Sequence, residues 1–177
     1  LFRSEIAASA QVSRQLNLHG NLTLQNPKAS NFGSWSQGLI GNGTDDVLTL
    51  LPKGDADNNP KVMIRAGGEF KPVDAVTLFA EVSHVGKRAA NAANAFYMPA
   101  YTTVDIGGTV KINDAIKFQV NVNNLFNQVG IVSWSRTGFL ASLDRQGLTK
   151  AAYSANSVLP VVPVQARSVY FTLTGKF

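Results

Sequence analysis

The last ten residues, Ser168 to Phe177 (SVYFTLTGKF), restrict the fold more than any other stretch, because apolar and polar side chains alternate along them up to a closing aromatic. Successive side chains of a strand point to opposite faces. Val169, Phe171, Leu173 and Phe177 therefore share one face, and Ser168, Tyr170, Thr172, Thr174 and Lys176 the other. The first face suits hydrocarbon and the second suits water. A soluble sheet would alternate in the same way, so the number and length of such runs carry the decision.

Alternation predicts about seven strands, each near the ~9 to 11 residues that cross a bilayer when tilted. The first covers Phe2 to Val12, with Ile6, Ala8, Ala10 and Val12 outward and Glu5, Ser9 and Gln11 inward. From Leu16 to Gln25, Leu16, Leu18, Leu22 and Leu24 alternate with Asn17, His19, Asn21, Thr23 and Gln25; Gly20 alone interrupts the outward row. Lys61 to Lys71 sets Val62, Ile64, Ala66 and Phe70 against Met63, Arg65, Glu69 and Lys71. Val76 to Lys87 sets Leu78, Ala80 and Val82 against Thr77, Glu81 and Ser83. Tyr101 to Ile112 sets Val104, Ile106, Val110 and Ile112 against Thr103, Asp105, Thr109 and Lys111. Lys117 to Asn124 sets Phe118, Val120 and Val122 against Lys117, Gln119, Asn121 and Asn123, and the terminal run is the seventh.

No stretch approaches ~18 uninterrupted apolar residues, which excludes a transmembrane helix. Membrane residence must then be by barrel, since hydrocarbon leaves every unpaired backbone N–H and C=O unsatisfied. The chain has no cysteine, so disulfide and thiolate-metal arguments fall away together. Its net charge of +5 is scattered along all 177 residues without a basic run, which argues against a nucleic-acid partner. It opens at Leu1 with no basic and apolar leader, so a signal peptide is expected to have been removed or to lie outside a piece.

The connections fall into two classes that take turns. Ser13 to Gln15, Lys71 to Ala75 and Asn113 to Ala115 are tight and polar; Asn26 to Pro60, Arg88 to Ala100 and Asn127 to Pro163 are long and rich in Gly, Asn, Ser, Asp and Pro. Short turns at one end and long loops at the other is the plan of an outer-membrane barrel, with its turns in the periplasm. Such barrels use an even number of strands, so about seven imply a fragment whose missing part is N-terminal.

Several segments resemble the C-terminal third of a TonB-dependent outer-membrane receptor. Asn59 to Phe70 (NPKVMIRAGGEF) is similar to the family's Pro-Lys followed by a strand, and Val85 to Arg88 (VGKR) to its Gly-Lys-Arg strand exit. Tyr97 to Gly107 (YMPAYTTVDIG) resembles its Pro-Ala-Tyr strand opening, Val122 to Asn127 (VNNLFN) its Asn-Leu-Phe box, and Phe177 its closing residue. Gly175, Gln165 and Ala166 depart from the usual pattern near the C-terminus. The resemblance implies an all-β chain, an antiparallel transmembrane β-barrel segment of about seven up-and-down strands belonging to a barrel of ~22. Residues 1–177 would be the C-terminal part of one barrel domain, with plug domain and signal peptide absent.

It further implies a non-enzymatic transport receptor in the outer membrane of a Gram-negative bacterium. Such a receptor imports a scarce ligand (ferric siderophore, cobalamin or oligosaccharide) with TonB-derived energy and carries no cofactor. Its expected partners are outer-membrane lipid and lipopolysaccharide, its own plug domain, the TonB complex through the missing N-terminal region, and the small ligand. A passive porin is the alternative, told apart by a plug and TonB box upstream; an outer-membrane hydrolase or a soluble β-sandwich binding domain is a further one.

Candidate chemistry is confined to loops. Trp35 and Trp134 each stand as Ser-Trp-Ser, an aromatic pair able to stack on a sugar or chelator, with loop packing as the plain reading. Arg136, Arg145 and Lys150 near Asp144 would suit an anionic ligand or lipid phosphate. Asp55, Asp57, Asn58 and Asn59 hint at calcium, but Ala66 falls where the twelfth-position Glu belongs. Gly38 to Gly43 lacks the setting of a phosphate cradle, and His19 and His84 sit on different strands with no metal-binding neighbour. Phe177, Leu173 and Phe171 are expected to form the barrel-assembly signal.

Overall fold

The computed structural model describes residues 2–30, 32–36, 47–51, 53–90, 94, 96–134 and 160–176, with 32–36 and 47–51 as backbone alone. In chain order the strands are β1 (Arg3–Gln11), β2 (Leu16–Gln25), β3 (Lys28–Ala29), β4 (Phe32–Ser36), β5 (Val47–Leu51), β6 (Gly54–Asp55), β7 (Val62–Val73) and β8 (Val76–Val85). Then come β9 (Arg88–Ala89), β10 (Tyr97–Met98), β11 (Tyr101–Lys111), β12 (Ile116–Asn123), β13 (Ile131–Trp134), β14 (Val161–Pro163) and β15 (Ser168–Gly175). Seven of them form one sheet in the order β1-β2-β7-β8-β11-β12-β15, every pair antiparallel. The seven expected runs are these seven strands, to within two residues at either end.

Register ties the two faces together. Ala10, Leu18, Gly68, Ala80, Ile106, Val122 and Val169 stand opposite one another straight across the sheet. The next row, Ser9, His19, Gly67, Glu81, Asp105, Asn123 and Ser168, lies on the other face. A slip of one residue would exchange these rows, so seven alternating patterns fix one register. The apolar row enters β1 one residue from its lower end but β15 near its upper end, the stagger a tilted barrel wall requires.

Side-chain chemistry sets the tight turns. Ser13 Oγ accepts the N–H groups of Gln15 and Leu16, and Asn113 Oδ1 accepts those of Ala115 and Ile116, so hydroxyl and amide perform the same turn closure. The β7–β8 turn needs only Asp74 and Ala75, because β7 runs on through a register shift between Phe70 and Val73. Pro72 and Val73, expected in the turn, belong to the strand instead. The long connections, expected as plain loops, contain four two-stranded ribbons: β3–β6, β4–β5, β9–β10 and β13–β14.

Very little is buried. Among the described residues the buried ones are Pro27, Pro60, Gly86, Arg88, Ala89, Ala90, Met98, Asn124 and Gly130, every one of them in or beside a long connection. Phe171 at 69% and Leu173 at 70% exposure would be severe liabilities in water for a strand of eight residues. They are ordinary on a wall that faces hydrocarbon.

Candidate functional site

Two regions position chemistry: the wall, and the root of the long loops above it. The outward row of β11, extended by Ile112 just past its last residue, climbs through apolar side chains to Thr102 at its polar margin, ~33 Å along the strand and ~25 Å along an axis tilted ~40° from it. That is about the height of the apolar band of an outer-membrane barrel. Its upper margin carries a polar pair, His84 Nδ1 and Thr102 Oγ1 at 2.8 Å, on cross-strand partners. The inward face is charged and paired: Arg65 Nη2 lies 2.6 Å from Glu81 Oε1 and His19 Nε2 3.5 Å from Glu81 Oε2. Phe79 covers Gly107, where a Cβ would meet its ring at 2.4 Å, so an aromatic closes the gap a strand glycine leaves.

The loop root is held by three polar knots. Asn124 adopts φ 50°, a left-handed turn that asparagine tolerates, and its side chain reaches the Gln128 N–H at 2.8 Å, the Gln128 carbonyl at 3.0 Å and the Gln165 carbonyl at 2.8 Å. Asp105 Oδ1 accepts the Asn124 N–H at 2.7 Å, tying this turn to the wall. Asp55 forms the second knot, with Lys28 Nζ at 2.5 Å, Lys61 Nζ at 3.2 Å and the Tyr97 hydroxyl donating at 3.1 Å. The Lys28 ammonium, more than Lys61 and Tyr97, holds the Asp55 carboxyl below its usual range against the opposing pull of burial.

Arg88 makes the third knot at 3% exposure. Its Nε donates to Asn58 Oδ1 at 3.1 Å, its Nη2 to the Ile131 and Val132 carbonyls, and its guanidinium carbon lies 5.5 Å from the centre of the Tyr101 ring. One side chain thus ties all three long connections. Each of these acceptors is neutral, and burial lowers the Arg88 pKa. Nη1 is buried without a hydrogen-bond partner, and so is Trp134 Nε1 on β13. Buried orphan donors cost ~1 to 3 kcal/mol each.

Of the candidate ligand contacts, Trp134 lies at this root with its ring edge-to-face on Phe96, centroids 5.6 Å apart, so it does pack within the loops. Trp35 is on β4, whose side chains fall outside the description; Arg136, Arg145, Lys150, Asp144, the Gly38 to Gly43 run and Phe177 are also outside the described residues. Phe171 and Leu173 stand outward on β15, with Phe171 stacked on Phe118 at 6.3 Å. The calcium reading ends at Asp55, whose carboxylate is taken by two ammonium groups. His19 lies on the inward face and His84 on the outward one, and the described residues hold no cluster fit for a metal.

Residues 5–125 match the family model for the TonB dependent receptor-like beta-barrel. The chain belongs to the TonB-dependent receptor family. Among solved structures, this receptor chain is similar to the siderophore receptor PiuA of Acinetobacter baumannii: 15% identity, TM-score 0.71, 96% of this chain and 21% of that one. It is also similar to the ferric yersiniabactin uptake receptor FyuA of Yersinia pestis, at 13% identity, TM-score 0.67, and 98% and 23% coverage. The ferripyoverdine receptor of Pseudomonas aeruginosa matches at 14% identity and TM-score 0.60, over 98% of this chain and 19% of that one. The receptor chain therefore spans about a fifth of the length of the receptors it matches. No curated protein matches it.

The sequence reading noticed Arg88 and Asn124 only as members of short motifs and missed their task. Asparagine before Leu-Phe and arginine at a strand exit were the available signals; the carbonyls they hold, at Ile131, Val132 and Gln165, are 41 to 44 residues away.

Proposed function

We propose that this chain is the C-terminal wall of an outer-membrane active-transport receptor that imports a scarce ferric chelate of the siderophore class with energy from the TonB complex. The observation that carries the reading is the two-faced sheet of seven strands: an apolar exterior ~25 Å tall, a charged interior, and ribboned loops gathered at one end. The charged interior suits a plugged lumen, which is the support for proposing a plug domain and a TonB-binding segment in the intact receptor. The structural neighbours are a siderophore receptor, a ferric yersiniabactin receptor and a ferripyoverdine receptor, which is the support for the ligand class. Trp35, Trp134 and Arg136 are proposed as ligand contacts from the loops, and Phe171, Leu173 and Phe177 as the assembly signal.

The test is uptake of iron-55 chelates by iron-starved cells carrying or lacking the intact gene. Transport that disappears on deletion of the gene, and also on loss of TonB or of the proton-motive force, is the expected result. Size-limited diffusion of unrelated sugars through the purified protein in liposomes, with no energy dependence, would make it a porin and overturn the reading.

A further inference from the structure

Arg88 is a full positive charge shut inside the root of the loops, and its hydrogen-bond acceptors among the described residues are all neutral. Its fork is two-thirds used: Nε and Nη2 are engaged, and Nη1 points to no acceptor. Buried charges in proteins are paired, and an arginine lacking its counter-charge is the exception. The same small knot holds a second orphan donor. Trp134 Nε1 lies two residues beyond the Val132 carbonyl that Arg88 grips, and the Phe96 ring against Trp134 belongs to the residue whose carbonyl accepts the Ala90 N–H at 3.1 Å. Beside Arg88 the chain runs Gly86, Lys87, Ala89 and Ala90, with Met98 as its partner across the ribbon; Lys87, the one other charged residue of this group, turns its ammonium over the Tyr97 ring. Among the described residues no carboxylate forms an ion pair with Arg88.

We infer that the root of the loops is an anion-binding position, in which Arg88 Nη1 and the Trp134 indole N–H take a small anionic acceptor: a free inorganic ion or an anionic group carried by an incoming compound. The positive charge supplies the attraction, the two N–H groups the direction, and the shortage of space selects for size. Both donors are closed off from water, so the anion is admitted as the ribbons β9–β10 and β13–β14 part, and its binding pulls three connections together at one residue. Chloride or a single carboxylate suits this site; a bulky polyanion does not.

The experiment uses the intact receptor in detergent, titrated separately with sodium chloride, acetate and phosphate while gluconate holds ionic strength constant. Trp134 emission is read as the difference between the protein and its Trp134→Phe variant. A saturable spectral change is expected with chloride or acetate, weakened at least tenfold in Arg88→Gln and less in Arg88→Lys, which keeps the charge. Saturation by chloride identifies a resident ion, whereas a response to acetate alone identifies a carboxylate position for an incoming compound. If Arg88→Gln fails to assemble, the thermal midpoint of the unaltered receptor decides: it must rise in chloride or acetate relative to gluconate. An emission change that is linear and unsaturable, that survives intact in Arg88→Gln, or a midpoint indifferent to the anion overturns the inference.

Discussion

Replacing Val120 with arginine puts the two-faced wall to a quantitative test, because Asn121, one residue on, provides the control. Val120 lies mid-strand on β12 between outward Gly108 and Phe171; Asn121 lies between inward Gly107 and Tyr170. A guanidinium on the lipid side at mid-height costs ~2 to 4 kcal/mol, a factor of roughly 30 to 900 in the folding equilibrium. Asn121→Arg forfeits the Gln119 Nε2 hydrogen bond at 3.0 Å and crowds Gly107, but its charge stays among polar groups, so ~1 kcal/mol is expected. The assay is reversible guanidinium unfolding of the intact receptor in lipid vesicles, with heat-modifiable gel mobility as the check on assembly. Equal costs at the two positions, or a larger one at Asn121, would refute the assignment of faces.

Glycines give a paired test in the same assay. A Cβ on Gly67 would meet the Ala80 carbonyl oxygen at 2.6 Å, so Gly67→Ala should cost ~1 to 3 kcal/mol; around Gly20 the nearest atoms stand at 3.6 Å or beyond, and Gly20→Ala should be neutral or gain up to ~1 kcal/mol. Asn124→Ala should cost ~2 to 4 kcal/mol by stranding the Gln128 N–H and the left-handed turn, measured as faster proteolysis of the loops. The lowered Asp55 carboxyl stabilises its knot fully above the ordinary value of 3.8 and loses that contribution as pH falls through its depressed value. The protection factors at Ala56 and Asp55, taken against intrinsic exchange at each pH, should therefore fall below about pH 4, and Asp55→Asn should remove that fall.

Alternation made the wall legible because period two is a local property: each of the seven runs shows its faces without reference to its neighbours. The turns at Ser13 and Asn113 were equally local, since one side-chain oxygen closes each. Strand ends were less so; Pro72 and Val73 read as turn residues, but the register shift after Phe70 carries them inside β7. The loop ribbons escaped notice because β3, β6, β9 and β10 are two residues each, too short for any period to appear. Arg88 stands in the sequence only as the end of the VGKR motif, and only the approach of Asn58, Ile131 and Val132 makes it a buried tie.

Residues 1–177 contain no cysteine, so once any cysteine elsewhere in the intact receptor is replaced, single-cysteine spin labels can be walked along β12 and β15 in bilayers. Collisions with oxygen should peak at 118, 120, 122, 169, 171 and 173, and collisions with a water-soluble nickel chelate at 117, 119, 121, 170, 172 and 174. Loss of that two-residue rhythm, or oxygen and nickel peaks coinciding on the same positions, would contradict a wall with lipid on one side and an aqueous lumen on the other.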